Sequence, residues 1–286
     1  MILLDGKKVA ADVITKAKSD VDVLKSSGVQ PKLVVVQVGE DPASVVYIGQ
    51  KLKRCKETGI ESAHAKMEAS VTTEEIIAKV HELNNDPGVH GILVQLPLPA
   101  HVNTPLVMKA IDPKKDVDGF TAYNVGKMTL GAEFERLTPC TAQGVIDLLE
   151  AYKISVEGKE VVMVGASNVV GKPLAIMMLN RGATITVCHI KTQDLAFHTK
   201  RADILCVAVG KRNLITADMV KDGVTVVDIG INRDPEGKLC GDTDFEAISK
   251  KAYAITPVPG GVGQMTVACL MANIVKAAQN LHELSA

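Results

Sequence analysis

Neither sign of charge is in excess along this 286-residue chain: 32 Lys and Arg face 33 Asp and Glu, for a formal net charge of -1. A protein that neutralises a run of phosphates needs a strong basic surplus, so bulk nucleic-acid binding is excluded. A local pocket for a small anionic ligand is not. No apolar run approaches the roughly 18–20 residues that cross a bilayer, so no membrane partner is expected. The apolar stretch after Met1 is short, and its basic pair, Lys7 and Lys8, follows it, which is not the order of a secretory signal. A cytoplasmic location is the default expectation.

Metal and redox signatures are missing too. The six cysteines, Cys55, Cys140, Cys188, Cys206, Cys240 and Cys269, are scattered without a CxxC, and neither HExxH nor a zinc-like His/Cys spacing occurs. Reduced, mostly buried thiols and no metal are expected. His189, beside Cys188, reads as a strand-end residue and not as a ligand. Tandem repeats and low-complexity tracts are also absent.

What is present is the balance of a globular enzyme, 47% hydrophobic and 23% charged, at a length that allows one large domain or two ordinary ones. Strands and helices alternate. Residues 32–38, 61–67 and 91–97 read as strands, with Pro97 ending the third. Between them fall a helix at 43–58, with Val45, Ile48, Leu52 and Cys55 at core spacing, and an amphipathic segment at 73–84. Thr72, Thr73 and Glu75 suggest a cap for the latter. From Val161 the rhythm repeats: strand 160–164, helix 171–181, then strands at 183–188, 203–209 and 224–229. Such continuously apolar strands predict a parallel sheet covered on both faces. Periodicity is lost between Gly119 and Thr141, where a domain boundary is expected, with a connecting helix at 142–152. A last helix, 265–282, is expected to pack back on the first half.

Four segments suggest chemistry. Val161 to Pro173 contains Gly165, Ala166, Ser167, Val170 and Gly171 where a buried strand gives way to a helix. Glycine there lets the backbone approach a pyrophosphate, and free N–H groups at the helix start hold the anion. The spacing is GxSxxxGxP, not GxGxxG, so a plain strand-to-helix turn is the competing reading. The strand ending at Cys188 is followed by His189, Ile190 and Lys191, without the acidic residue that holds a ribose 2′-hydroxyl in NAD-binding units. That absence, with Lys191, favours NADP over NAD; the bland alternative is a solvated loop lysine. Tyr47 and Lys51 share one helix face, well away from the Val45/Ile48/Leu52/Cys55 stripe, and taken bare would be a solvated basic face. Gln95 interrupts an apolar strand, where a buried amide must find partners. Asp116-Val-Asp118-Gly119 follows in a loop, and Thr256 to Thr266 concentrates prolines and glycines as ligand-binding loops do, or as a rigid inter-domain turn would.

Together these segments resemble the bifunctional methylenetetrahydrofolate dehydrogenase/methenyltetrahydrofolate cyclohydrolase family. The matching pieces are Tyr47-Ile-Gly-Gln-Lys51, Val94-Gln95-Leu96-Pro-Leu-Pro99, Lys115-Asp-Val-Asp118-Gly-Phe120, Pro139-Cys-Thr141, Gly165 to Pro173 and Pro257 to Gly263. They stand in the family's order over nearly the whole chain. The resemblance implies a two-domain α/β enzyme: an N-terminal catalytic domain, 1–139, on which residues 265–286 pack, and a Rossmann-like NADP-binding domain, 140–264, with a folate cleft between them. It also implies a homodimer and a tetrahydrofolate substrate. Lys51 is implied as the key catalytic residue, flanked by Tyr47 and Gln95, with Asp118 holding the pterin. The cofactor is implied to lie on Gly165, Ala166, Ser167, Val170, Gly171, Ile190, Lys191 and Ile231, and the folate on Tyr47, Lys51, Val94, Gln95, Leu96, Asp118, Pro259, Gly260, Gly261 and Gly263. Gln264 stands where the family usually has proline, which should loosen that loop. Ile190 stands where many relatives carry Ser or Arg.

The chemistry suits these residues. Hydride transfer needs orientation and no protein nucleophile. Ring-opening hydrolysis needs proton transfers, which a desolvated lysine can perform. Two rivals remain at this level: a related two-domain dehydrogenase with an amino-acid or shikimate-type substrate, and a non-catalytic nucleotide-binding protein, against which the joint presence of Tyr47, Lys51, Gln95 and Asp118 argues.

Overall fold

The computed structural model describes residues 1–282, Ala43 by its backbone alone. The chain opens with β1 (Ile2–Leu3) and a long helix, α1 (Gly6–Ser26), then runs β2 (Lys32–Val38), α2 (Pro42–Thr58), β3 (Glu61–Met67), α3 (Thr73–Asn85) and β4 (Gly91–Val94). Three helices follow, α4 (Thr104–Ala110), α5 (Ala122–Met128) and α6 (Cys140–Ala151). The rest is β5 (Glu160–Val164), α7 (Gly171–Leu179), β6 (Thr184–Cys188), α8 (Leu195–Thr199), β7 (Ile204–Val207), β8 (Thr225–Asp228), a hairpin of β9 (Asn232–Arg233) and β10 (Leu239–Cys240), α9 (Phe245–Ser249), β11 (Ala254–Ile255) and α10 (Val262–Leu281).

Local chemistry sets the helix ends. Asp41 accepts from Ser44 N ahead of Pro42, and Gly59, in the left-handed region, closes α2. Thr72 and Glu75 form a reciprocal capping box on α3. Lys115 closes the other end of α3: its buried ammonium donates to the carbonyls of Leu83, Asn84 and Asp86 at 3.1, 2.8 and 2.7 Å.

Two compact units result. One holds Met1–Ala11, Met128–Phe134 and Thr141–Thr266; the other holds Asp12–Lys127, Glu135–Cys140 and the chain from Val267 on. The first unit is built on a parallel six-stranded sheet, β1-β11-β8-β7-β5-β6, with a core of Val162, Val164, Leu205, Val207, Val226 and Ile255. The second has a parallel three-stranded sheet, β3-β2-β4. Its two faces of β2 serve separate cores: Leu33 and Val35 pack with Leu270 and Ile274 of α10, and Val34 and Val36 pack with Ile76 and Val80 of α3. A strand buried on both faces is why this segment reads as continuously apolar.

Three expectations need correction. Residues 1–11 and 128–134 do not join the stretch 12–127: β1 pairs with β11, and Asn180 Nδ2 donates to Met128 O at 2.8 Å, so both segments belong to the six-stranded unit. The third strand ends at Val94, so Gln95 lies just beyond it. On α2, Val45 is 48% exposed, while Ser44, Ile48 and Cys55 are buried. The buried stripe is therefore rotated from the expected one, and Lys51, one turn from Ile48, lies at its edge instead of far from it.

His90, which precedes β4, is buried with Nε2 at 3.0 Å from His282 Nε2, and its Nδ1 finds no partner. Desolvation first, then His282 and Lys115, lower its pKa to about 4, against a smaller opposing effect of Asp86. An unfolded histidine titrates near 6.5, so between that pH and about 4 the unfolded chain binds a proton the folded chain refuses. Stability therefore falls as pH drops through this window. Urea titrations at several pH values should show that slope, and His90→Leu should flatten it; identical slopes would assign the loss to other groups.

Candidate active site

Three elements bring the sequence-selected groups of the three-stranded unit together. α2 carries Tyr47 and Lys51, the chain leaving β4 carries Gln95, and the loop after Lys115 carries Asp118. Lys51 Nζ donates to Gln95 Oε1 at 3.0 Å. Gln95 Nε2 donates to Leu96 O at 2.7 Å, which fixes the amide so that its oxygen faces the lysine. Tyr47 is 39% exposed and forms no hydrogen bond to Lys51. Val94 cannot offer its side chain to a ligand, because that side chain is buried in the core with Val36 and Ile92; only its backbone remains.

Asp118 is shaped by a neighbour two residues away. The carboxylate of Asp116, fully buried, accepts from Gly119 N (2.9 Å), Phe120 N (3.2 Å), Thr121 N (2.7 Å) and Asn124 Nδ2 (2.9 Å). It organises the turn. Gly119 sits at φ +71, and a Cβ there would strike the backbone of Thr138 and Pro139. Burial pushes the Asp118 carboxyl above its ordinary range, with Asp116 adding to the rise; the charge of Lys51 and a hydrogen bond from Cys140 oppose it. The Cys140 thiol is itself pushed well up, by burial first and then by Asp118. Asn273 of α10 fixes this corner, with Nδ2 donating to Val117 O and Thr138 O, both at 2.9 Å. The sequence shows Asp116 and Lys115 only as members of the Lys115–Phe120 motif, without a role, and Asn273 goes unmarked there; a polar residue inside the apolar helix 265–282 is the available signal for the last.

In the six-stranded unit, the Gly165–Gly171 loop leaves the carboxyl end of β5. Its glycines are dictated by backbone crowding. At Gly165, φ +116, a Cβ would overlap Ala208 O, and at Gly171 it would overlap Gly165 O. Ser167 differs from expectation: its Oγ accepts from Val170 N at 3.1 Å and Gly171 N at 3.4 Å, and its carbonyl accepts from Lys172 N at 3.0 Å. Those N–H groups are therefore already engaged within the loop and are not free for an anion. Beyond β6, Ile190 is fully exposed and Lys191 is exposed, its N–H donating to His189 Nδ1 at 3.2 Å. Ile231, 48% exposed, follows β8.

The Pro259–Gly263 loop begins after β11, with a cis Val258–Pro259 bond and Gly260 at φ +111. Gly261 carbonyl lies against Gly6, where no Cβ fits. Gln264 falls in the first turn of α10, which starts at Val262, and its N–H donates to Gly261 O at 3.3 Å. A proline at this position could not make that bond. A cavity of about 430 Å³ in this unit is lined by Arg212, Asp228, Thr243, Phe245, Thr256 and Val258 among others, so the start of the Thr256–Thr266 segment borders it, whereas Lys51, Gln95, Asp118 and the Gly165–Gly171 loop do not.

A doubly covered parallel sheet with a glycine turn at a strand's carboxyl end, on the same chain as a lysine–amide–carboxylate group, defines a two-unit α/β nucleotide-dependent enzyme. Residues 4–118 match the catalytic-domain model of tetrahydrofolate dehydrogenase/cyclohydrolase, and residues 139–282 match that family's NAD(P)-binding domain model. The "Bifunctional protein FolD" of Nautilia profundicola is 52% identical over 280 residues, 98% of each chain. A crystal structure of the FolD methylenetetrahydrofolate dehydrogenase/cyclohydrolase of Campylobacter jejuni superposes with a TM-score of 0.96 at 51% identity, covering 98% of this chain and 99% of that one. The Trypanosoma brucei enzyme, solved with NADP cofactor and an inhibitor, gives 0.92 at 33% identity over 98% of both. The chain belongs to the tetrahydrofolate dehydrogenase/cyclohydrolase family. It is an enzyme with the two activities for which that family is named.

Proposed function

We propose that this enzyme oxidises 5,10-methylenetetrahydrofolate to the 5,10-methenyl form with NADP, and then hydrolyses that product to 10-formyltetrahydrofolate, with Lys51 as the proton-transfer group of the second step. The Lys51–Gln95 hydrogen bond, in the field of Asp118, is the observation that carries this reading. When bound, the nicotinamide accepts the hydride of the first step. The chain's own task there is orientation. In the second step water adds to the electron-poor methenyl carbon, a proton leaves that water, and the ring C–N bond opens as its nitrogen takes up a proton. The ammonium or amine of Lys51 supports both transfers, held in direction by Gln95 Oε1. Asp118 offers a pair of acceptor oxygens to the amino and ring N–H donors of a pterin. Those donors stabilise the carboxylate that burial disfavours. Tyr47 and the loop from Pro259 through Gly260, Gly261 and Gly263 are assigned to the folate, together with the backbone of Val94 and Leu96.

Lys51→Met keeps length and apolar stem while removing the amine, so folding should change little. Cyclohydrolase activity should fall by roughly 10²-fold or more, and dehydrogenase activity by less. The ratio of the two activities in one purified variant is decisive. A ratio equal to that of wild type would make Lys51 a folate-positioning residue for both steps.

NADP is assigned to the Gly165–Gly171 loop, the Ile190–Lys191 segment and Ile231. No carboxylate stands at the end of β6 to repel a 2′-phosphate, and Lys191 is exposed there. In an absorbance assay, 5,10-methylenetetrahydrofolate oxidation should be faster with NADP than with NAD at equal concentration, and Lys191→Glu should raise KM for NADP selectively. Equal rates would remove the preference, and an unchanged KM would leave Lys191 a solvated loop residue.

We also assign the enzyme to the cytoplasm as a homodimer. None of the described helices is long and apolar enough to cross a membrane. β6 is an edge strand with an exposed Val187, and nearby Leu179 of α7 is exposed as well, a surface on which a second copy can pair. Light scattering should give about twice the 30.4 kDa chain mass; a monomer mass at micromolar concentration would overturn it.

A further inference from the structure

Beyond β7 the chain turns through Val209, Gly210 and Lys211, and three successive N–H groups converge on one side chain. Asp242 Oδ2 accepts from Val209 N at 2.7 Å and Gly210 N at 3.1 Å, and its Oδ1 accepts from Lys211 N at 2.8 Å. Asn232 Nδ2 adds a fourth donor at 2.8 Å. The carboxylate is fully buried. Convergent backbone donors with a left-handed glycine are the geometry that elsewhere captures a phosphate. Here the anion is part of the chain, so this turn has no donors left for the cofactor's own phosphates.

What the resident carboxylate fixes is a wall. Ala208 N donates to Val164 O at 2.8 Å, and Ala208 O is the atom on which a Gly165 Cβ would collide. The 208–211 turn thus lies directly against the start of the Gly165 loop, at the ends of the neighbouring strands β5 and β7. Ligands of such sheets lie outside those strand ends. Asp242 is itself held, because its N–H donates to Asp228 Oδ1 at 3.0 Å and Gly230 leaves room that a Cβ would deny its carboxylate.

We propose that Asp242 is a positioning residue for the nicotinamide cofactor: its carboxylate acts as a built-in anion that holds the 208–211 turn against the Gly165 loop. This inference rests on the assignment of that loop to NADP. Asp242→Asn removes the charge and turns an amide N–H₂ toward backbone donors, so the turn loses its alignment while the side-chain volume stays.

The test uses the full chain and both activities. For Asp242→Asn, KM in the dehydrogenase assay and Kd by NADP titration should both rise about tenfold, with kcat at saturating NADP changed less than about threefold. The cyclohydrolase reaction on 5,10-methenyltetrahydrofolate, run without cofactor, is the internal reference for a folded enzyme. Asn232→Ala removes one donor to Asp242 and should shift NADP affinity in the same direction, by about threefold; it carries the test if the first variant does not fold. Unchanged NADP affinity in a folded variant overturns the proposal. So does an equal loss of both activities, which is what a merely structural carboxylate produces. Absence of NADP binding by the wild-type enzyme would instead overturn the cofactor assignment itself.

Discussion

Buried backbone donors left over where parallel strands end are the constraint around which this enzyme is organised. Such N–H groups must be satisfied, and here the same solution recurs. Asp116, bridged to Ile92 within β4, Asp228, the last residue of β8, and Asp242, opposite the end of β7, are all buried acids that gather donors from neighbouring turns. Desolvating a carboxylate costs several kcal/mol, and a hydrogen bond to a charged group returns about 1.5–3 kcal/mol. One donor therefore leaves most of that cost standing, whereas three or four offset much of it; at Asp228 burial still holds the carboxyl above its ordinary range, with Asp242 adding to the rise and the hydrogen bonds from Asp242 and Thr243 opposing it. Each of these carboxylates has at least three. Asp228, for example, accepts from Gly230 N, Asp242 N, Thr243 N and Thr243 Oγ1 at 2.7–3.0 Å.

The functional loops inherit their rigidity from these acids. The Asp116 turn sets Asp118; the Asp242 turn abuts Gly165; and Thr256, from which the Pro259–Gly263 loop departs, donates to Asp228 O and accepts from Asp228 N at 2.7 Å. Glycine appears where two such turns touch. Gly230 faces the carboxylate of Asp242 and Gly241 faces that of Asp228, each at a distance no Cβ allows. Ligand-binding loops can then be short and irregular without being loose.

Much of this was legible in the sequence, and the illegible part has a physical cause. Apolar periodicity located the long strands, because a strand buried on both faces cannot hide. Two-residue strands such as β1 and β11 carry no periodicity, and with them went the membership of residues 1–11. Lys51 and Gln95 were readable as polar residues in unusual company, but their hydrogen bond spans two elements and lies in no local pattern. The rotation of the α2 stripe was missed because Ser44, buried and serving the first turn, does not look like a core residue. The glycines at 165 and 171 stand out in the sequence, but the backbone crowding that requires them does not. Approach to a pyrophosphate and approach to Ala208 and Gly165 demand the same missing Cβ, and a sequence cannot separate them.

Asp116 and Asp118 show how one fold assigns two carboxylates different work. They are two residues apart and share a turn, so an extended backbone would present them alike. The turn breaks that equivalence. Asp116 faces inward and meets four donors, which use up its acceptor capacity and make it structural. Asp118 meets the Cys140 thiol and the more distant charge of Lys51, and burial raises its pKa because those two do not offset desolvation. A carboxyl in that condition gains more from an incoming pair of N–H donors than a saturated one can. The saturation of the first acid is thus what leaves the second with unmet demand, and unmet demand beside Lys51 is the physical basis on which this site can select a ligand that brings its own donors.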